Sequence, residues 1–205
     1  ESVRLLLARW QRAREVRALD GERERRPALT AALGVSEAVL RAALEQLAYT
    51  AHTRQGQAAQ RDDVQADILA GEVLTVLTPR VPDDVNPRRA LTYLETRAGL
   101  LLGRRPGVYA FLHRSFQEYL AACHLANTAQ DFGGRLRALV WDDVDWWREV
   151  FLLGVGKKCQ GGLGDAVNVV TALVPEGPEE IPDVTETHWH AAALAGTALL
   201  DLDLG

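Results

Sequence analysis

Methionine is missing from all 205 residues, and the chain opens on Glu1. A segment taken from inside a longer polypeptide is the expectation that follows. Lysine is nearly missing too: Lys157 and Lys158 are the only two, and the other 21 of 23 basic residues are arginine. Two cysteines, Cys123 and Cys159, are too few for a disulfide framework, so a reducing, cytoplasmic setting is expected. No apolar run approaches the roughly 20 residues of a membrane-spanning helix, and no charged–apolar–small leader opens the chain. No membrane partner is therefore expected. The residues that are present, 47% hydrophobic and 25% charged, have the balance of a packed globular chain rather than a disordered one.

Charge is distributed unevenly. Residues 1–26 carry 8 basic and 5 acidic side chains, residues 27–130 carry 10 of each, and residues 131–205 carry 5 and 13. Phosphate binding needs positive potential, so the acidic last third is a poor surface for nucleic acid.

Apolar spacing predicts a mainly α chain. Leu5, Leu6, Arg9, Trp10, Ala13 and Val16 suggest a first helix over about 2–18, broken by Asp20-Gly21. Ala28, Leu29, Ala32 and Leu33 give a short second helix. Gly34 can take the positive φ of a tight turn, and Ser36 is a good N-cap. Val39, Leu40, Ala43, Leu44 and Leu47 then mark a longer helix to about 49. Short helix, glycine turn, longer helix is the helix-turn-helix pattern. The polar stretch 53–61 reads as a loop. A helix capped by Asp62 or Asp63 follows, with Val64, Ile68, Leu69, Val73 and Leu77 inward, and Pro79 and Pro82 end it. Asn86-Pro87 supplies the next N-cap and first-turn proline, for a helix that runs to Ala98 and Gly99.

Leu100–Gly103 and Val108–Leu112 are the only convincing strands, joined by turn chemistry at Arg104–Gly107. A helix-turn-helix plus one small hairpin is the minimum of a winged helix; the long insert over 50–98 makes this an elaborated one. Ser115 and Glu118 fit a capping box at the head of a helix to Asn127. Further helices are expected over 132–140, 145–157, 164–174 and 187–201, with breaks at Gly161–Gly164 and Pro175–Pro182. The expected organisation is a winged-helix domain over 1–127 followed by a helical superhelix or bundle segment over 128–205.

Tyr109–Ala122, YAFLHRSFQEYLAA, carries the most specific signal. It resembles the phrase F-x-H-[RK]-[ST]-F-Q-E-Y-x-A-A that closes the winged-helix domain of NACHT-type STAND NTPases, the group that includes animal NOD-like receptors. Phe111, His113, Arg114, Ser115, Phe116, Gln117, Glu118, Tyr119, Ala121 and Ala122 match it. Arg97–Leu101 is similar to that family's entry into the hairpin. Elsewhere the likeness is one of rhythm only, as at Trp10, Arg14 and Trp147–Val150.

The resemblance implies a regulatory or interaction segment of a signalling NTPase, in bacterial antiphage defence for example. An upstream NTPase core of the same polypeptide would hold ADP or ATP with Mg, and the winged helix would close over it at rest. His113 would contact the β-phosphate of ADP, donating a hydrogen bond from its imidazole. A C-terminal repeat or effector domain and oligomerisation on activation are further implied partners. The chain itself holds no catalytic machinery for that chemistry. A phosphate loop needs G-x-x-x-x-G-K-[ST]. Leu153–Lys158 is the nearest string, but Phe151, five residues before Gly156, stands where the first glycine belongs and Lys158 where the Ser or Thr belongs. No cofactor is therefore expected in this segment alone, and the ATPase would be the parent.

A DNA-binding winged-helix regulator is the alternative. Its reading helix would offer Glu37, Ala38, Arg41, Ala42, Glu45 and Gln46, which include two carboxylates and suit a major groove poorly. Arg104 and Arg105 on the wing suit a solvated turn or an internal ion pair better than phosphate. Nucleic acid is thus not the expected partner. His188 and His190, two residues apart, point away from each other on a helix and lack metal-ligand spacing. A hydrolase built on them, or on Cys123 beside His124, is the remote third reading. Trp141, Trp146 and Trp147, set among Asp142, Asp143 and Asp145, are expected to pack the winged helix onto the following helices, with a partner surface as the alternative.

Overall fold

The structure, a computed structural model, describes residues 14–17, 23–26, 34–59, 67–95, 101–174 and 185–203. Two short strands open it, β1 (Arg14–Arg17) and β2 (Arg23–Arg26), followed by helix α1 (Glu37–Ala59). Next come β3 (Ile68–Leu69), α2 (Ala70–Leu77), a 3-10 turn (Thr78–Arg80) and α3 (Pro87–Tyr93). The wing is β4 (Leu101–Arg105) and β5 (Val108–Phe111), and α4 (Arg114–Thr128) leaves it. Four more helices end the described chain: α5 (Phe132–Asp142), α6 (Val144–Cys159), α7 (Leu163–Thr171) and α8 (Glu186–Asp203). The architecture is mainly α, as the sequence predicts, with two small antiparallel sheets where one hairpin was expected. Contacts divide it into two compact units, one of Glu1–Leu47 with Gln57–Phe116, the other of Ala48–Gly56 with Gln117–Gly205.

Three expectations are corrected. The helix expected over 2–18 does not hold at its end: β1 pairs antiparallel with β2, Glu15 opposite Arg25 and Val16 opposite Glu24. Asp20-Gly21, taken as a helix breaker, is equally a hairpin signal, and it lies midway between the two strands. The rest of that helix, residues 1–13, and the short helix at 28–33 lie outside the described residues. Ile68 and Leu69, expected in a helix, form β3 against Tyr109 and Val108, so the wing sheet has three strands in the order β3-β5-β4. A two-residue strand is too short to show alternation. Finally, the polar stretch 53–61 is no loop as far as Ala59, where α1 ends after 23 residues, about 35 Å of helix at 1.5 Å per residue.

In the first unit, the glycine turn and cap ahead of α1 form as the sequence suggests. Gly34 has φ +64°, and a side chain there would also meet Pro82, whose Cγ lies 3.2 Å from the Cβ position. The Ser36 hydroxyl accepts a hydrogen bond from the Val39 amide at 3.3 Å, and Asn86 Oδ1 accepts from Arg88 N at 2.9 Å to start α3. Leu40, Ala43, Leu44 and Leu47 of α1 are buried, as are Val73, Val76 and Leu77 of α2. The sheet adds its inner face, Ile68, Leu101, Tyr109 and Phe111, all buried. A bulge at Gly103–Arg105 and Gly107 at φ +75° turn the hairpin.

The second unit is a helical cluster. Phe132, Leu136 and Val140 of α5, Trp147, Val150 and Phe151 of α6, and Leu194 and Ala198 of α8 share one core. Asp131 and Asp143 cap α5 and α6, accepting from Gly134 N and Trp146 N, each at 2.9 Å. Close helix approach depends on small residues: the Cβ position of Gly154 on α6 lies 2.9 Å from Phe132 Cζ.

The middle of α1 explains why polar letters there are still helical. His52 is fully buried, its ring 5.0 Å from that of Trp146 and edge-on to Trp147 at 4.8 Å. Trp146 Nε1 donates to the His52 carbonyl at 3.1 Å, and Gln117 Nε2 donates to Gln55 Oε1 at 2.7 Å. Trp146 and Trp147 therefore pack on the middle of α1 within the second unit, while Trp141 Nε1 donates to the Leu173 carbonyl at 3.3 Å.

Gly56 sits under this contact, and its Cβ position lies 2.7 Å from Trp146 Nε1. Alanine is favoured over glycine inside a helix by about 1 kcal/mol, but here the overlap must win, because a packed indole has little room to retreat. Gly56→Ala is expected to destabilise the protein by about 1–3 kcal/mol. Urea unfolding measures this; a stabilised variant would show that propensity outweighs the Trp146 contact.

Candidate functional site

All four residues of β5 are buried, and α4 is buried from Phe116 through Glu118. Between them Leu112, His113, Arg114 and Ser115 are all exposed. The chain is thus held on both sides of a four-residue window. His113 occupies the N-cap position of α4: its carbonyl accepts from Phe116 N at 3.1 Å, and its ring lies over that of Phe116 with centroids 6.4 Å apart. An imidazole next to a helix N-terminus can donate a hydrogen bond to an anion, and the helix end favours negative charge.

Ser115 does not stand at the cap position expected of it beside Glu118. The helix begins one residue before Ser115, which is therefore inside the first turn, and Glu118 is buried one turn on. A serine three before a glutamate marks a helix start only when the serine precedes the helix; here His113 takes that place.

The outward face expected of the helix-turn-helix is largely used within the unit. Arg41 Nε bonds the nearly buried Glu45 carboxylate at 2.8 Å, and Arg80 donates to Gln46. Glu37, Ala38 and Ala42 remain exposed and present no donor to a base edge. On the wing, Arg105 pairs with Asp67 at 3.1 Å and Arg104 with the same carboxylate at 3.9 Å, the internal ion pair that the sequence suggested.

The remaining candidates are distributed through the second unit. Cys123 is fully buried; its neighbour His124 stacks on Tyr49 at 5.0 Å. His188 belongs to a helix start: its Nδ1 accepts from Thr185 N at 3.1 Å, and its ring meets Trp141 edge-on at 4.8 Å. His190 lies 3.8 Å from Glu186. Among the described residues no group of three or more His, Cys, Asp or Glu is arranged to hold a metal.

Two features escaped the sequence. A cleft of about 300 Å³ opens between Tyr49, His124, Asp131 and Arg135, where Arg135 donates to the Tyr49 hydroxyl at 2.9 Å. Its residues come from three helices, which no local pattern reveals. Beside the wing, Glu95 abuts Gly103, the cross-strand partner of Tyr109. Burial raises the Tyr109 pKa above the ordinary 10.0, and the Glu95 charge raises it further.

The chain matches, over residues 1–125, the family described as the winged helix-turn-helix domain C-terminal to NACHT. The chain belongs to that family. No curated protein and no solved structure matches it. The match confirms the kinship read from Tyr109–Ala122, and the matched family is a winged-helix domain rather than an NTPase core. Among the described residues no helix of this winged-helix protein is long and apolar enough to cross a membrane.

Tyr109 gives a pH test of the wing. The folded state holds the phenol protonated more tightly than the unfolded chain does. The stabilisation is complete below the unfolded pKa and is lost as pH rises through the folded one. Phenolate absorbance, read as wild type minus Tyr109→Phe, should titrate above an ordinary tyrosine. Glu95→Gln should lower that midpoint without normalising it, since burial is the larger cause. A midpoint unmoved by Glu95→Gln would contradict the contact.

Proposed function

We propose that this winged-helix domain is the closing element of a NACHT-type signalling NTPase. It holds the resting state by contacting ADP and relays sensing to the NTPase when that contact is released. His113 is the contact: its imidazole donates to the β-phosphate of ADP held, with Mg, by the NACHT domain of the same polypeptide. The carrying observation is the exposure of His113 at the N-cap of α4, between the buried strand β5 and the buried residues Phe116–Glu118. A side chain on so firmly held a backbone needs little further ordering to bind, which limits the entropy lost on closure.

The family supports the partner, because its members are described as lying C-terminal to NACHT. No part of the present chain supplies a phosphate loop, so the segment acts by binding and the parent performs hydrolysis. Oligomerisation on release, further C-terminal repeat or effector domains, a cytoplasmic location and a role in bacterial antiphage defence complete the proposal. A ligand contact present only in the closed state biases the equilibrium by its own differential free energy.

His113→Ala in the NACHT-bearing polypeptide is the direct test. One hydrogen bond to a charged group is worth about 1.5–3 kcal/mol, so ADP should dissociate roughly 10- to 100-fold faster. Nucleotide content after purification and ADP release kinetics read the effect. Unchanged retention would overturn the role of His113.

A further inference from the structure

The cleft of about 300 Å³ in the second unit is lined by none of the residues of the His113 window. A water takes up about 30 Å³ in the liquid, so the cleft has room for about ten non-hydrogen atoms. That is the small end of the range for ligand sites. Leu125, Ala129 and the ring of Tyr49, stacked on His124 at 5.0 Å, give it an apolar side.

Its polar lining includes one charge of each sign, Asp131 and Arg135. The two stand four residues apart, carboxylate first, the order in which opposite charges on a helix normally pair. Here each is bonded elsewhere. The Asp131 carboxylate accepts from Gly134 N at 2.9 Å, as the cap of α5. The Arg135 guanidinium reaches α1 and donates to the Tyr49 hydroxyl at 2.9 Å. That bond uses one of the five N–H donors of an arginine, and a carboxylate can accept more than one hydrogen bond. A phenol that accepts from arginine also keeps its own proton to donate. Asp131 and Arg135 are both exposed, so both charges are open to a small solute.

A cleft with one cation and one anion, each bonded elsewhere, suits a ligand that carries both signs. A plain anion would meet Arg135 but also face Asp131, and a plain cation would meet the reverse. An α-amino acid answers both. Its carboxylate matches the planar fork of Arg135 and the Tyr49 hydroxyl, its ammonium matches Asp131, and its side chain has Leu125 and Ala129 to lie against.

We infer that the cleft lined by Tyr49, Asp131 and Arg135 binds a free α-amino acid. The inference goes beyond the function proposed above and uses none of its residues, so the two stand or fall separately.

Calorimetric titration of the 205-residue chain with the individual α-amino acids tests it. At least one should bind with a Kd of about 1 mM or tighter. Two relatives of that amino acid, its amide without the carboxylate and its des-amino acid without the ammonium, should each bind roughly 10-fold more weakly or worse. Arg135→Gln and Asp131→Asn should weaken the amino acid itself by a similar factor. Asparagine caps a helix about as well as aspartate, so Asp131→Asn removes the charge and keeps the start of α5. Failure of every amino acid to bind would overturn the inference. A des-amino acid that binds as tightly as its parent would overturn it too, by reducing the cleft to a carboxylate site. Binding unchanged by both substitutions would place the ligand elsewhere and dismiss the cleft.

Discussion

The junction between β5 and α4 is the constraint on which the functional reading depends. All four residues of β5 are buried, and Phe116, Gln117 and Glu118 are buried in the first turns of α4. Packed interiors resist small displacements because each buried side chain touches many neighbours. The four residues between them inherit that rigidity while facing solvent. A histidine in a flexible loop would have to be ordered by its ligand; His113 begins ordered, with its carbonyl already bonded to Phe116 N.

The same economy of position appears in α1. Its first half buries leucines and alanines, which is the usual amphipathic solution. Its second half turns inward with His52 and Gln55, and uses indole rings and a glutamine in place of aliphatic partners. Buried polar groups are costly unless satisfied. Here the indole N–H of Trp146 is satisfied by a helix carbonyl, and Gly56 gives the ring its seat.

Local chemistry was legible in the sequence wherever one residue type does one job. Gly34 at positive φ, Ser36 and Asn86 at helix starts, and Gly107 in the hairpin turn all stand where their chemistry requires. What stayed hidden depends on partners distant in sequence. Thr53–Ala59 looks like a loop until Trp146 is placed over it, and β3 is unrecognisable until Tyr109 and Val108 lie opposite. Glu45 and Gln46 seem outward-facing until Arg41 and Arg80 claim them. The site divides the same way: His113 was legible through the phrase around it, whereas the cleft at Tyr49, His124 and Arg135 draws on three helices that no local pattern joins.

The central claim is that His113 touches the diphosphate of a nucleotide held by the NACHT domain. An experimental structure of the ADP-bound, NACHT-bearing polypeptide measures this most directly. The account predicts a ring nitrogen of His113 about 3 Å from a β-phosphate oxygen, within hydrogen-bond range. An imidazole left in solvent, with the wing directed away from the nucleotide, would contradict it.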